Sequence, residues 1–277
     1  MKNLVSTALR HHFVDGSGVQ IHAIEFAPGA AINQIDRPPL LLLHGVTGHA
    51  WLWHDVATAL STAHRVIALD LRGHGDSEWS SVAAYETADH VADLDAVVNA
   101  LELSKFSLAG LSWGGLIAIG YATRFADRLQ RVAIIDVEAS FAQPPDAVPE
   151  RPGEFDSLES VVAWERQANP RAGAEAIARA ARNSVRPAAA GHWVRKHDPF
   201  FLRTWPFRHD DRWAELRPLR APALFISAEN SFVRANVMQE MAASTPGAKF
   251  ASIPNCGHLI PLEAPTALAA RLHHFFS

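Results

Sequence analysis

The chain has a single cysteine, Cys256, among its 277 residues, so no disulfide can close within it. One unpaired thiol suits a reducing compartment, and its place beside His258 reads as a small buried filler rather than a redox centre. Basic excess is missing as well: 25 lysines and arginines face 29 aspartates and glutamates, for a formal charge of -4. A surface of that balance offers little to a phosphate backbone, so no nucleic-acid partner is expected. No stretch approaches the roughly 20 consecutive apolar residues of a membrane-spanning helix. Met1–Arg10 also lacks the apolar segment of a secretion signal, and the expectation is a cytoplasmic protein without a membrane partner. The 15 histidines include the pairs His11-His12 and His273-His274, but no third ligand stands near either and no zinc-like Cys/His spacing occurs. Neither metal nor organic cofactor is therefore expected. What is plentiful is apolar residue, 48% of the chain, enough to bury a large core in one α/β domain with an insertion. A small-molecule substrate is the expected partner, and a monomer or homodimer the expected assembly.

Short apolar runs alternate with amphipathic stretches, the pattern of a mostly parallel sheet with helices on both faces. Strands are expected near 10–14, 20–26, 40–43, 65–69, 105–109, 132–136, 223–227 and 249–253. Before the fifth of these, Val91, Leu94, Val98 and Leu101 recur at helical spacing and predict one buried face. Asp89, Asp93 and Asp95 on that stretch read as solvated or capping charges. The exception to the alternation is about 140–215, which has no convincing strand, opens with Pro144-Pro145 and Pro149, and carries helix-like segments from Asp156 to Trp164 and from Gly173 to Ala180.

Between the fifth strand and a following helical run stands Gly110-Leu111-Ser112-Trp113-Gly114, a G-x-S-x-G sequence. A serine on a sharp strand-to-helix turn has its hydroxyl pushed clear of the sheet, and flanking glycines let the turn form without clashes. Ser112 is the candidate nucleophile. Upstream, Leu40–Leu43 runs into His44-Gly45-Val46-Thr47-Gly48, and near the C-terminus Asn255-Cys256-Gly257-His258 follows the last strand.

These segments, with Leu69-Asp70-Leu71-Arg72-Gly73-His74-Gly75-Asp76-Ser77 after the fourth strand and Pro261-Leu262-Glu263-Ala264-Pro265 after the histidine, resemble the α/β-hydrolase superfamily over nearly the whole chain. The resemblance implies an α/β-hydrolase fold with a mostly parallel eight-stranded sheet and a helical cap inserted after the sixth strand. Core residues would be 1–139 and 216–277, and the cap 140–215. It further implies Ser112 as nucleophile and His258 as base, with the backbone N–H groups of Val46 and Trp113 forming the oxyanion hole. A serine hydroxyl is a weak nucleophile until an imidazole takes its proton, and the resulting oxyanion needs donors already in place.

The third triad member departs from the commonest pattern. After the seventh strand the chain reads Glu229-Asn230-Ser231-Phe232-Val233, with no aspartate. Asp136, at the end of the sixth strand and at the same sheet edge as Ser112, is the leading candidate to orient His258. A minority of α/β-hydrolases, including haloalkane dehalogenases, resorcylic-lactone hydrolases and a succinate-enamide hydrolase, are similar in placing the acid there. Glu138 and Glu229 remain rivals, and Asp136 could instead only tie down its loop.

Cap residues Trp164, Trp193, Phe200, Phe201, Trp205, Phe207 and Trp213 are expected mainly to pack, with one or two lining a pocket. Thr47, His49, Trp164 and Trp205 are the candidate substrate contacts. Eight arginines and lysines from Arg171 to Arg208, against Glu175 and Asp198, read either as a solvated face or as a clamp for a carboxylate-bearing substrate. The resemblance thus implies a serine hydrolase cleaving a small to medium carboxylic ester or lactone through an acyl-enzyme. Amide, enamide or carbon–carbon bond hydrolysis by the same residues is an alternative, and a ligand-binding or signalling module with a vestigial site is another. Dehalogenase or epoxide-hydrolase activity implies an aspartate where this chain has Ser112.

Overall fold

The computed structural model describes residues 7–28 and 37–277. Met1–Ser6, most of the segment read for a targeting signal, lies outside the described residues. In chain order the core begins with strands β1 (Thr7–Asp15), β2 (Gln20–Pro28) and β3 (Leu40–Leu43), helix α1 (His54–Leu60), β4 (Val66–Leu69), α2 (Thr87–Ala100), β5 (Phe106–Leu111), α3 (Trp113–Arg124) and β6 (Leu129–Ile135). Between β6 and the next core strand come β7 (Glu154–Phe155), α4 (Leu158–Ala168), α5 (Ala174–Ser184), β8 (Val185–Pro187), β9 (Trp193–Arg195) and α6 (Trp213–Leu216). The core closes with β10 (Ala223–Ala228), α7 (Ala235–Ser244), β11 (Lys249–Ile253), α8 (Ile260–Glu263) and α9 (Pro265–Phe276).

Eight strands form one sheet in the order β1-β2-β4-β3-β5-β6-β10-β11. Every pairing from β4 to β11 is parallel, while β2 runs antiparallel to both β1 and β4. Central strands covered on both faces need apolar side chains at every position. Leu40–Leu43 meets that demand, Leu41 and Leu43 entering the layer with α2, α3 and α7, Leu40 and Leu42 the layer with α1 and α9. The expected strands are thus present, and the register sets Leu43 beside Gly110, Leu111 beside Ile135 and Ile135 beside Ile226. That alignment delivers the residues following β3, β5, β6 and β10 to one edge.

On α2, Val91, Leu94 and Val98 are buried as the spacing predicts, whereas Leu101 stands at the C-cap and is only partly buried; Val97, outside that spacing, is buried as well. Asp89 completes a capping box with Glu86, but Asp93 is not solvated: it is buried and takes Arg72 Nε at 2.5 Å and Nη2 at 2.7 Å. The partner lies outside the helix, so helical spacing alone misreads it.

The expectation of no strand in 140–215 is also corrected. β7, β9 and β8 pair in that order as a three-stranded antiparallel sheet, their runs of two or three residues being too short to display a period of two. This segment lies against the core through Arg179 on Asp55 (2.5 Å), Asp198 on Tyr85 (2.6 Å), and Leu52 packed with Ala176 and Ala180.

Candidate active site

Ser112 sits between β5 and α3 with φ 54° and ψ −126°. The positive φ therefore falls on the serine itself, a strained conformation for a side-chain-bearing residue, and the glycines around it serve close approach. A Cβ on Gly110 would lie 2.0 Å from Gly114 O, one on Gly114 2.6 Å from Leu43 O, and one on Gly45 2.7 Å from Ser112 Cβ. No side chain fits at these points, and the β3 loop is thereby brought against the serine.

The loop after β11 carries His258 to the same cavity as Ser112. His258 Nδ1 donates to Asp136 Oδ2 at 2.7 Å. Asp136 directly follows β6, is fully buried and also accepts Ala228 N–H (2.9 Å) and the Ser231 hydroxyl (2.5 Å). The loop after β10, which lacks an aspartate, thus supplies a donor to the acid on the neighbouring strand. Neither rival carboxylate stands in that place. Glu138 is engaged by Arg234 through its N–H, Nε and Nη2 (3.0, 3.0 and 2.6 Å), and exposed Glu229 accepts Asn255 N–H at 2.8 Å. Phe232, 79% exposed, lays its ring 4.5 Å from the His258 ring, an apolar cover on the imidazole. Cys256 is buried with its thiol pushed up to about 11 by burial, which fits a filler.

The loop after β3 is held by two buried histidines. His44 Nδ1 donates to Gly45 O (2.7 Å) while Nε2 accepts Leu71 N–H (3.0 Å). His74 Nδ1 donates to Arg72 O (2.9 Å) while Nε2 accepts Thr47 N–H (3.0 Å). Both bonding patterns require neutral rings, and burial lowers both pKa values. Thr47 N–H and Gly48 N–H are used inside the protein, the latter on Gly45 O at 3.0 Å. Val46 N–H has no acceptor among the described residues, and Trp113 N–H lies in the first helical turn, where none is available within the helix.

Asp70 pins the following turn. Burial opposes its charge, but hydrogen bonds from His22 (2.7 Å), Ala50 N–H (2.6 Å) and Asp76 N–H (2.9 Å) leave its pKa near 2, held down chiefly by His22. His22, Asp70 and Asp76 are the one group among the described residues with donors gathered closely enough for a cation, yet His22 Nδ1 and Nε2 are both already engaged, by Asp70 and His11.

Ser112, Asp136 and His258 open into a cavity of about 1130 Å³ between the sheet edge and the β6–β10 segment. Thr47, His49, Trp164 and Trp205 all line it, as do Val46 and Phe232. His49 is buried and neutral, desolvation carrying its pKa to about 3. Trp205 presents little surface: its ring packs on Phe207 and lies under Arg208 (4.6 Å) and Arg151 (5.4 Å). Of the basic residues between 171 and 208, Arg179, Arg195 and Lys196 are paired with Asp55, Glu165 and Asp76. Arg151, upstream of that run, lines the cavity with no carboxylate partner among the described residues. Ser231 and Arg151 are the site residues that sequence reasoning missed; the only signal for Ser231 is its place in the loop that lacks an aspartate.

A model described as the alpha/beta hydrolase fold matches residues 38–265. The chain belongs to this family. Soluble epoxide hydrolase of Corynebacterium sp. (strain C12) is 30% identical over 145 residues, 52% of this chain but 48% of that protein, so the match spans about half of that relative. Esterase YbfF of Escherichia coli (strain K12) is 27% identical over 255 residues, 89% of this chain and 96% of that one. Among solved structures, the thioesterase domain from the curacin biosynthetic pathway superposes with a TM-score of 0.81 at 22% identity, covering 96% of this chain and 99% of that chain, a likeness of fold. In this α/β hydrolase fold the serine, acid and histidine stand after β5, β6 and β11 of one sheet.

Proposed function

We propose that the protein is a serine hydrolase that cleaves a small to medium carboxylic ester or lactone through an acyl-enzyme. The observation that carries this reading is the buried Asp136 carboxylate 2.7 Å from His258 Nδ1, in the cavity that also holds the elbow serine. With Nδ1–H engaged, Nε2 of a neutral His258 is the ring atom with a lone pair to receive the Ser112 proton. Ser112 Oγ then bonds the substrate carbonyl carbon, and the oxyanion meets the free N–H groups of Val46 and Trp113. Proton transfer from His258 to the leaving oxygen expels the alcohol. A water deprotonated by His258 attacks the acyl-serine, and collapse returns the Ser112 hydroxyl and a carboxylic acid. Neither half-reaction needs a metal or an organic cofactor.

Residues 140–215 act in this reading as a lid that covers the cavity, and cytoplasmic location and a small-molecule partner go with it. Amide or carbon–carbon bond hydrolysis would use the same groups. A serine at the elbow weighs against epoxide opening through an aspartyl ester. A vestigial binding module would be favoured by a missing acid, and the His258–Asp136 contact weighs against it.

A hydrolysis screen across p-nitrophenyl esters, lactones, enamides and vinylogous diketones tests the reading, with Ser112→Ala and His258→Ala alongside. Each substitution should abolish turnover in a folded protein, and the double variant should be no worse than either, because a triad acts as a unit. Near-wild-type activity in Ser112→Ala would remove the serine from the mechanism.

A further inference from the structure

One wall of the cavity holds more cationic charge than the protein neutralises. Arg195 is 6% exposed, lies between the rings of Phe155 (4.8 Å) and Trp164 (4.5 Å), and gives Nη1 to Glu165 Oε1 (2.8 Å) and to Ser184 Oγ (3.1 Å). That bond spends the Glu165 charge on Arg195. Arg151, close enough to both to feel their charges, is left without a counter-ion. Its one hydrogen bond among the described residues runs from Nη1 to Thr47 Oγ1, while Arg151 Nε and Arg195 Nη2 are buried and have no acceptor among those residues.

Such an arrangement is costly in an empty protein. A guanidinium does not escape burial by losing its proton, and a buried donor without an acceptor forfeits the hydrogen bond it made to water. Folding tolerates it where a ligand completes the set. Packing on Trp205 holds the Arg151 guanidinium against the wall, as Trp164 holds that of Arg195. Arg151 and Arg195 against one glutamate leave an excess positive charge, and Arg208 on the same Trp205 ring adds to it, which suits an anionic group on the ligand. A planar guanidinium edge suits the two oxygens of a carboxylate.

Position supplies the last step. Thr47, the residue that holds Arg151, directly follows Val46, so the unpaired cation is anchored one residue beyond a proposed oxyanion donor. We propose that Arg151, backed by Arg195, is a carboxylate-binding subsite, and that the substrate carries a carboxylate a few bonds from the carbonyl it presents to Ser112. The substrate class rests on the serine-hydrolase reading; the anion subsite does not.

Binding and turnover therefore separate the two. Calorimetry on Ser112→Ala compares the monoethyl esters of malonic to adipic acid with the corresponding diethyl esters. At least one half-ester should bind about 10- to 100-fold more tightly than its diester, the size expected for a charge-assisted hydrogen bond. Arg151→Gln introduced beside Ser112→Ala should erase that ratio, and Arg151→Lys should restore part of it. On wild-type enzyme the same half-ester should lead its diester in kcat/KM. Equal binding of half-ester and diester at every length, or no binding of either, overturns the subsite without recourse to any Arg151 variant, as does a preference that survives Arg151→Gln in a protein whose circular dichroism is unchanged. Half-ester binding that depends on Arg151 but is never followed by hydrolysis upholds the subsite and removes the ester-hydrolase reading instead.

Discussion

In the proposed mechanism the chemistry turns on Asp136. Three donors converge on its carboxylate, from Ala228, Ser231 and His258, so its orientation is fixed before any substrate arrives. Asp136→Asn should leave the protein folded and lower kcat by about four orders of magnitude, the effect of holding an imidazole in the wrong tautomer. Glu229→Gln and Glu138→Gln, whose carboxylates serve Asn255 N–H and Arg234, should stay within a few-fold of wild type. Steady-state kinetics beside circular dichroism check all three, and a crippled Glu229→Gln with an active Asp136→Asn would reverse the assignment. The contact of Asp136 with His258 was legible because no aspartate stands in 229–233, which turns the search to the aspartate at the end of the sixth strand on the same edge. Ser231 and Arg151 were not: their partners stand 95 and 104 residues away, and no local spacing encodes such a pair.

Among the elements, the elbow and the β3 loop show why glycines were readable as a pattern but not in their separate duties. The positive φ belongs to Ser112, Thr47 and Asp136, while Gly110, Gly114 and Gly45 give room for backbone and nucleophile. Gly114→Ala forces a methyl against the carbonyl oxygens of Leu43 and His44 at 2.6 and 2.7 Å, and neither strand end can yield. Such overpacking costs about 1–3 kcal/mol or more, so the melting temperature should fall by several degrees. Gly45→Ala meets Ser112 Cβ instead and should act on kcat more than on melting. Thermal melts with parallel kinetics separate them; a Gly114→Ala protein as stable as wild type would show that the elbow relaxes. The central strands β3, β4 and β10 were legible because each is a bounded apolar run. β7, β8 and β9 were not, since a strand of two or three residues exists only through its partners.

For the molecule as a whole, chain order and apolar runs specify the sheet, whereas its acid stability follows from groups whose burial only the fold creates. His44, His49, His74, His90 and His197 all have lowered pKa values, desolvation being the first cause in each, with His197 near 4 and His49 near 3. Between those values and about 6.5 the unfolded chain binds protons that the folded chain refuses, so stability rises with pH across that window and is lost as pH falls through it. Each such histidine adds up to about 1.4 kcal/mol per pH unit there. Urea midpoints should therefore drop steeply from pH 6.5 to pH 4.5 and be flat from pH 7 to pH 8; a flat midpoint below 6.5 would mean that these imidazoles are open to protons in the native state.

The claim that the site is a working serine triad is tested most directly by fluorophosphonate labelling of the intact protein, followed by mass spectrometry and peptide mapping. A nucleophile activated by His258 should take one phosphonyl group, located on Ser112, with loss of hydrolysis in step with labelling and no adduct in His258→Ala. An unmodified Ser112 in wild-type protein that still turns over its ester would contradict it.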